Sequence, residues 1–181
     1  MIQIIDNIIP EYLQDHLEMF ITSRDRNNPF PLFLNESLTR GEPNTNKNEI
    51  GFGTDFIVDG DLHPMGGSLL SPLYLFLNSQ NLILKKLIRG RVFLQLPLYG
   101  NEKPTPQIPH TDLNYPHYSL IYYVTNSNGD TIFYNDDEKE IKRVSPKKGR
   151  ILFFDGTIKH SGSNCTEGIR IVFNYNFRLW K

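Results

Sequence analysis

The chain has 181 residues, 22% of them charged, and a formal net charge of −1; the length suits one domain with its own core. That balance supplies no global basic field of the kind that non-specific binding to nucleic acid or an anionic membrane needs. No apolar run approaches the roughly 20 residues that cross a bilayer, and the opening "MIQIIDNIIPEY" has no basic segment ahead of its apolar residues, so nothing in it directs export. A lone Cys165 has no internal disulfide partner, which fits a reducing, cytoplasmic setting and gives the thiol no role.

In chain order, residues 10–24, "PEYLQDHLEMFITSR", put Leu13, Leu17, Phe20 and Ile21 at helical spacing, with Pro10 suited to the first helical position. Residues 27–49 are rich in Asn, Pro, Gly and Thr and read as a loop before a short strand near "GFGTDFIV". A second helix is expected over 71–90. Ser71 and Pro72 would start it, Leu73, Phe76, Leu77, Leu84, Leu87 and Ile88 would form its stripe, Lys85, Lys86 and Arg89 would sit at its negative end, and Gly90 would close it. After Gly90, short β-rich runs take over: "RVFLQLPLY", "YSLIYYVT", "TIFYND", "EIKRVS", "GRILFFD" and "GIRIVFNYNFRLW". Six such strands without intervening helices argue for an antiparallel sandwich or jelly roll, with both helices on one outer face.

Within this frame, "IPHTDLNYPHYSLIYYV" puts His110 and Asp112 two residues apart, which on a strand points both to one side. Two ligands hold a transition metal poorly, so a third is needed, and His160, between two β-rich runs, stands at a strand end. Two imidazoles and one carboxylate with open positions are the ligand set of non-haem Fe(II) oxygenases. Arg170 would share the inward face of the last strand with Val172, Asn174 and Asn176. A buried guanidinium there needs a partner, and a carboxylate-bearing cosubstrate would match its planar fork.

The pattern His110, Asp112, His160, Arg170 resembles the HxD…H…R signature of Fe(II)/2-oxoglutarate-dependent dioxygenases. The run "HTDLNYPHYSLIYYVTNSNGDTIFYND" with "PKKGRILFFDGTIKHSGSN" is most similar to the prolyl 4-hydroxylase-like group, over roughly residues 91–178. The resemblance implies a double-stranded β-helix (jelly roll, cupin-like) in a single domain, with residues 1–90 as helical support and loops and 91–178 as its core. By it, His110, Asp112 and His160 would hold Fe(II) and carry catalysis, and Arg170 would pair with the distal carboxylate of 2-oxoglutarate. Tyr123 would add a hydroxyl to that carboxylate, and Tyr99 would lie near the cosubstrate. Fe(II), 2-oxoglutarate and O2 are the implied cofactors, with ascorbate as a stimulant. Substrate hydroxylation would be coupled to decarboxylation of 2-oxoglutarate to succinate, on a peptide or protein side chain such as prolyl. One departure is that relatives carry "GG" before the next strand where this chain reads "NGDTIF".

Other readings stay open: the same scaffold acting on a small metabolite or nucleic acid, a zinc hydrolase using the same three ligands, and a non-catalytic metal-binding jelly-roll module. The basic residues Lys139, Lys142, Arg143, Lys147, Lys148 and Arg150 are interleaved with Asp136, Asp137, Glu138 and Glu140, which makes a solvated hairpin the better reading than a nucleic-acid site. His117 is expected in a surface or substrate-facing loop, while His16 and His63 are expected to be structural.

Overall fold

The computed structural model describes residues 1–22, 29–35, 50–98 and 103–180. Two antiparallel sheets face each other. In chain order the elements are β1 (Ile2–Ile5), α1 (Glu11–Thr22), β2 (Phe33–Asn35), β3 (Gly51–Val58), β4 (Asp61–Leu62), a 3-10 helix (Pro64–Leu70) and α2 (Ser71–Ser79). Then follow β5 (Leu84–Gln95), β6 (Tyr118–Tyr123), β7 (Thr131–Tyr134), β8 (Glu140–Val144), β9 (Ile151–Asp155), β10 (His160–Gly162) and β11 (Arg170–Leu179). The larger sheet runs β1-β9-β6-β11-β5-β3-β2, with β4 on β3; the smaller runs β10-β7-β8. The jelly-roll expectation holds, although the sheets do not close into a barrel.

Strict alternation along the central strands sorts side chains into two cores. Outward residues of β6, β9 and β11, including Tyr122, Phe153, Phe173, Tyr175 and Phe177, pack with Leu17 and Ile21 of α1 and Leu73, Phe76 and Leu77 of α2. The two helices thus cover one outer face, as the patterning implies. Inward residues Ile121, Tyr123, Leu152, Phe154 and Val172 meet Phe133 of β7 and Val144 of β8 between the sheets.

The second helix is shorter than its apolar stripe suggests. It stops at Ser79, and residues from Leu84 onward are strand. Asn81 takes a left-handed φ of 52°, while Leu82 N–H donates to Leu77 C=O (2.9 Å) and Asn81 N–H to Asn78 C=O (3.2 Å). That pair of bonds is the Schellman ending, built on asparagine instead of glycine. Gly90 therefore does not cap a helix. It lies inside β5, where a Cβ would come within 2.6 Å of the Phe56 ring. The change from helix to sheet falls before Leu84, and the first 90 residues contribute β1, β2, β3, β4 and the start of β5, more than support helices and loops. Strand β1, which the sequence does not announce, zips onto β9 with Ile2 opposite Phe154 and Ile5 opposite Ile151.

Candidate metal centre

β11 is the floor of the site. It pairs with β5 in a register that sets Arg170 opposite Gln95, Asn174 opposite Arg91 and Asn176 opposite Arg89. All of these positions belong to the inward face, and a cavity of about 130 Å³ opens above them, lined among others by Arg89, His110, Asp112, Thr131, His160 and Arg170.

His110 and Asp112 are not on a regular strand. His110 sits in an isolated antiparallel bridge to His160, and Asp112 lies in the bent segment that follows. The convergence expected from strand alternation is reached by a different route: the backbones of His110 and His160 exchange N–H to C=O bonds in both directions at 2.9 Å. Their ring centroids are then 5.0 Å apart. One ligand atom from each of His110, Asp112 and His160 lies within 4.8 Å of the others.

The tautomers suit a cation. His110 Nδ1 lies 3.0 Å from Ile108 C=O, and His160 Nδ1 lies 3.0 Å from Ile158 C=O. A carbonyl only accepts, so both Nδ1 atoms carry the proton and both Nε2 lone pairs are left for a metal. The His160 ring is wedged edge-on against Phe154, centroids 4.8 Å apart, which fixes its tilt. Its Nε2 is 3.7 Å from Asp112 Oδ2. Burial opposes ionisation of Asp112, but neighbouring positive charge, with the Arg89 guanidinium 2.7 Å from Oδ1, outweighs it and holds the carboxyl well below the usual range. Two imidazoles and an ionised carboxylate on one side of an open cavity fit Fe(II).

Arg170 is 6% exposed. Its Nε–H donates to Gly129 C=O at 2.8 Å and its Nη2 to Thr131 Oγ1 at 3.2 Å. Among the described residues no carboxylate lies within ion-pair distance of it, and burial pulls its pKa down. The departure at "NGDTIF" is part of this support. Asn128 Oδ1 accepts from Thr166 and Glu167 N–H at 2.9 and 3.0 Å, which holds Gly129 where a Cβ would come within 2.8 Å of Arg170 Cδ.

Tyr123 stands behind this wall. Its hydroxyl donates to Thr131 Oγ1 at 2.7 Å, and burial pushes its pKa up to about 12. Thr131 lines the cavity between Tyr123 and the open space. Tyr99 lies outside the described residues.

Sequence reasoning passed over several residues that surround the ligands. Arg89, assigned to a helix end, lies on β5 and donates to Asp112 Oδ1 at 2.7 Å. Asn174, Asn176 and Ser119 also donate to the Asp112 carboxylate. Reading 84–95 with period two instead of 3.6 would have put Arg89, Arg91, Phe93 and Gln95 on one face. His117 is buried, contrary to the loop expectation: its Nδ1–H donates to Tyr115 C=O at 2.8 Å, its ring packs over Gly156, and burial lowers its pKa. His63 accepts from Met65 N–H at the start of the 3-10 helix, and His16 stacks on Phe20 in α1.

Several cations of the basic stretch are paired, Arg143 with an interleaved acid and Arg150 and Lys148 with acids near the N-terminus. Arg143 pairs with Glu140 at 2.7 Å, Arg150 with Asp6 at 2.9 Å, Lys159 with Glu138 at 2.8 Å, and Lys148 with Asp15 and Glu18. Among the described residues no helix is long and apolar enough to cross a membrane.

Residues 98–178 match the family model of the 2OG-Fe(II) oxygenase superfamily. No curated protein matches the chain. Solved structures share the fold at low identity. A prolyl-4-hydroxylase from Pseudomonas putida is 15% identical, covering 99% of this chain and 93% of its own, with a TM-score of 0.63. An oxidoreductase of the 2OG-Fe(II) oxygenase family from Burkholderia pseudomallei is 10% identical, covering 97% and 84%, at 0.69. A prolyl hydroxylase from Trichoplax adhaerens, solved with a hypoxia inducible factor oxygen degradation domain peptide fragment, is 18% identical, covering 97% and 83%, at 0.64. Residues 98–178, which carry the two histidines, the aspartate and the arginine on one cavity, are thus similar to the 2OG-Fe(II) oxygenase superfamily, whose members are oxidoreductases that use Fe(II), 2-oxoglutarate and O2.

Proposed function

We propose that residues 1–181 act as one 2-oxoglutarate-dependent hydroxylase unit, with a peptide or protein side chain, prolyl in the first instance, as substrate. The observation that carries this reading is the sharing of one cavity by the His110, Asp112 and His160 ligand atoms and a buried guanidinium, Arg170, that has no carboxylate partner among the described residues. The peptide preference draws on the likeness to the two prolyl hydroxylases.

In this reading His110 Nε2, His160 Nε2 and an Asp112 oxygen hold the iron. When bound, the iron with 2-oxoglutarate and O2 supplies the oxidising power that couples hydroxylation to release of succinate and CO2. Arg170 receives the distal carboxylate of the cosubstrate, which satisfies a charge that is costly to bury alone. Thr131 Oγ1 already accepts from Tyr123 and from Arg170, so its own proton points elsewhere, and the cosubstrate carboxylate is the natural acceptor. Tyr123 acts through Thr131: it fixes which way that hydroxyl turns. Ile121 and Val172 line the cavity with apolar surface, which keeps water from competing for the carboxylate and strengthens its pairing with Arg170.

The test is succinate formation by the Fe(II)-loaded protein with 2-oxoglutarate under O2, in the presence of proline-rich peptides, free amino acids or alkylated oligonucleotides. Proline-rich peptides should stimulate succinate and gain one oxygen by mass spectrometry. Stimulation by another class alone would move the substrate assignment, and no succinate under any condition would end the oxygenase reading.

A further inference from the structure

Arg89 is an unexpected neighbour for a metal ligand. It sits on β5 with its side chain 11% exposed, and Asp112 is 6% exposed. The guanidinium uses two of its prongs at once: Nη2–H donates to Asp112 Oδ1 at 2.7 Å, and Nε–H donates to Asn176 Oδ1 at 2.8 Å. Asn176 in turn donates from Nδ2 to the other carboxylate oxygen, Asp112 Oδ2, at 2.9 Å. The ring of contacts Arg89, Asn176, Asp112 is therefore closed, and Asn174 Nδ2 braces the same carboxylate at 3.1 and 3.2 Å.

This arrangement has a directional consequence. Oδ1 is engaged by the Arg89 cation, whereas Oδ2, which accepts from the neutral groups of Asn176, Asn174 and Ser119, is the oxygen 3.7 Å from His160 Nε2. The carboxylate plane is held by donors on β5 and β11, two strands locked together by their own ladder, so Asp112 is oriented by rigid sheet although it stands on an irregular segment. Losing a partner that fixes a ligand's orientation commonly costs about 10–100-fold in metal affinity.

The geometry points to Arg89 as a positioning residue for Asp112: its fork fixes the carboxylate so that Oδ2 faces the His160 imidazole before a metal arrives. This inference rests on the metal-site reading above. Charge and orientation make opposite demands, which gives the test its sign. A bystander cation near the site would repel a divalent ion, and its removal would tighten binding; a positioning residue does the reverse when removed. Lysine cannot replace it, because an ammonium on a flexible stem lacks the planar fork that reaches Asp112 and Asn176 together.

The experiment is titration of Co(II) into the full chain by calorimetry, for wild type, Arg89→Gln, Arg89→Lys and His160→Ala, with circular dichroism to establish that each is folded. Arg89→Gln should raise the Kd for Co(II) by about 10-fold or more, and Arg89→Lys should also bind more weakly than wild type. A folded Arg89→Gln that binds Co(II) as tightly as wild type, or more tightly, overturns the inference. If Arg89→Gln does not fold, wild-type affinity in Arg89→Lys overturns it. Failure of the site itself looks different: wild type would not bind Co(II), or His160→Ala would bind it equally well, and the positioning role would fall with the site.

Discussion

His110 and His160 are joined backbone to backbone, each N–H donating to the other's carbonyl at 2.9 Å. Neither imidazole takes part in that bridge, so either side chain can be removed without breaking it. His110→Ala and His160→Ala should therefore remain folded yet lose Fe(II) and Co(II) affinity by more than about 100-fold, beyond the usual cost of losing a mere supporting contact. Metal content after equilibrium dialysis, read beside circular dichroism, checks both halves. Retained metal in a folded His160→Ala would remove that imidazole from the ligand set.

Arg170 and the residues behind it should separate by kinetics. Loss of a charge-assisted bond costs about 2 kcal/mol, so Arg170→Ala should raise the KM for 2-oxoglutarate by roughly 30-fold with the metal Kd unchanged. Gly129→Ala, whose new methyl would press on Arg170 Cδ from 2.8 Å, should shift the same constant in the same direction. Thr131→Val should raise it too, by less. Tyr123→Phe should act mainly on stability, at about 1 kcal/mol for a lost buried hydrogen bond. A larger effect on KM from Tyr123→Phe than from Thr131→Val would reverse the order assigned to the two hydroxyls.

Gly156 and His117 make a packing prediction away from the chemistry. A Cβ at position 156 would lie 2.1 Å from His117 Nε2, and the buried imidazole is tied to Tyr115 C=O at 2.8 Å. Gly156→Ala should cost about 1–3 kcal/mol by overpacking, seen as a fall in Tm of about 2–4 °C per kcal/mol for a chain of this size. His117→Ala removes the obstacle, so the double variant should recover part of the loss. Strict additivity of the two single effects would show that the ring is not what the methyl meets.

Asp6 ties the segment after β1 to Arg150, both carboxylate oxygens accepting at 2.9 Å. The Arg150 hydrogen bond lowers the Asp6 pKa in the folded chain. A depressed carboxylate contributes stability above its unfolded value, about 3.9, and loses that contribution as pH falls through the folded value. Asp6→Asn should therefore cost up to about 1 kcal/mol at pH 7, with the gap to wild type closing in acid. Urea unfolding at neutral and acidic pH measures this; a gap that widens in acid would show that the pair is not the source.

Much of the site was legible because it depends on residue type and order. A histidine and an aspartate two apart, a later histidine between β-rich runs and an arginine at the start of the last strand are the residues that the fold brings together on one cavity. The alternation of "RIVFNYNFRL" likewise placed Arg170, Val172, Asn174 and Asn176 on the inner face, where they lie. The reading failed where a local stop was unfamiliar. Asn81 ends α2 by the turn that glycine usually makes, and a helix carried through to Gly90 puts Arg89 at a helix end instead of on β5.

By itself, then, the sequence determined the chemistry available to this protein: two imidazoles, a carboxylate and a guanidinium of the types that suit a metal and an anion, and an antiparallel β-rich chain to carry them. Only the tertiary structure decided which groups stand beside them. The bridge between His110 and His160, the hydroxyl order of Thr131 and Tyr123, and the grip of Arg89 on Asp112 are pairings between different segments of the chain. Periodicity within a segment reports the face on which a residue lies. It carries no information about which residue on another strand will oppose it, because register is settled by packing and backbone pairing of the whole sheet at once.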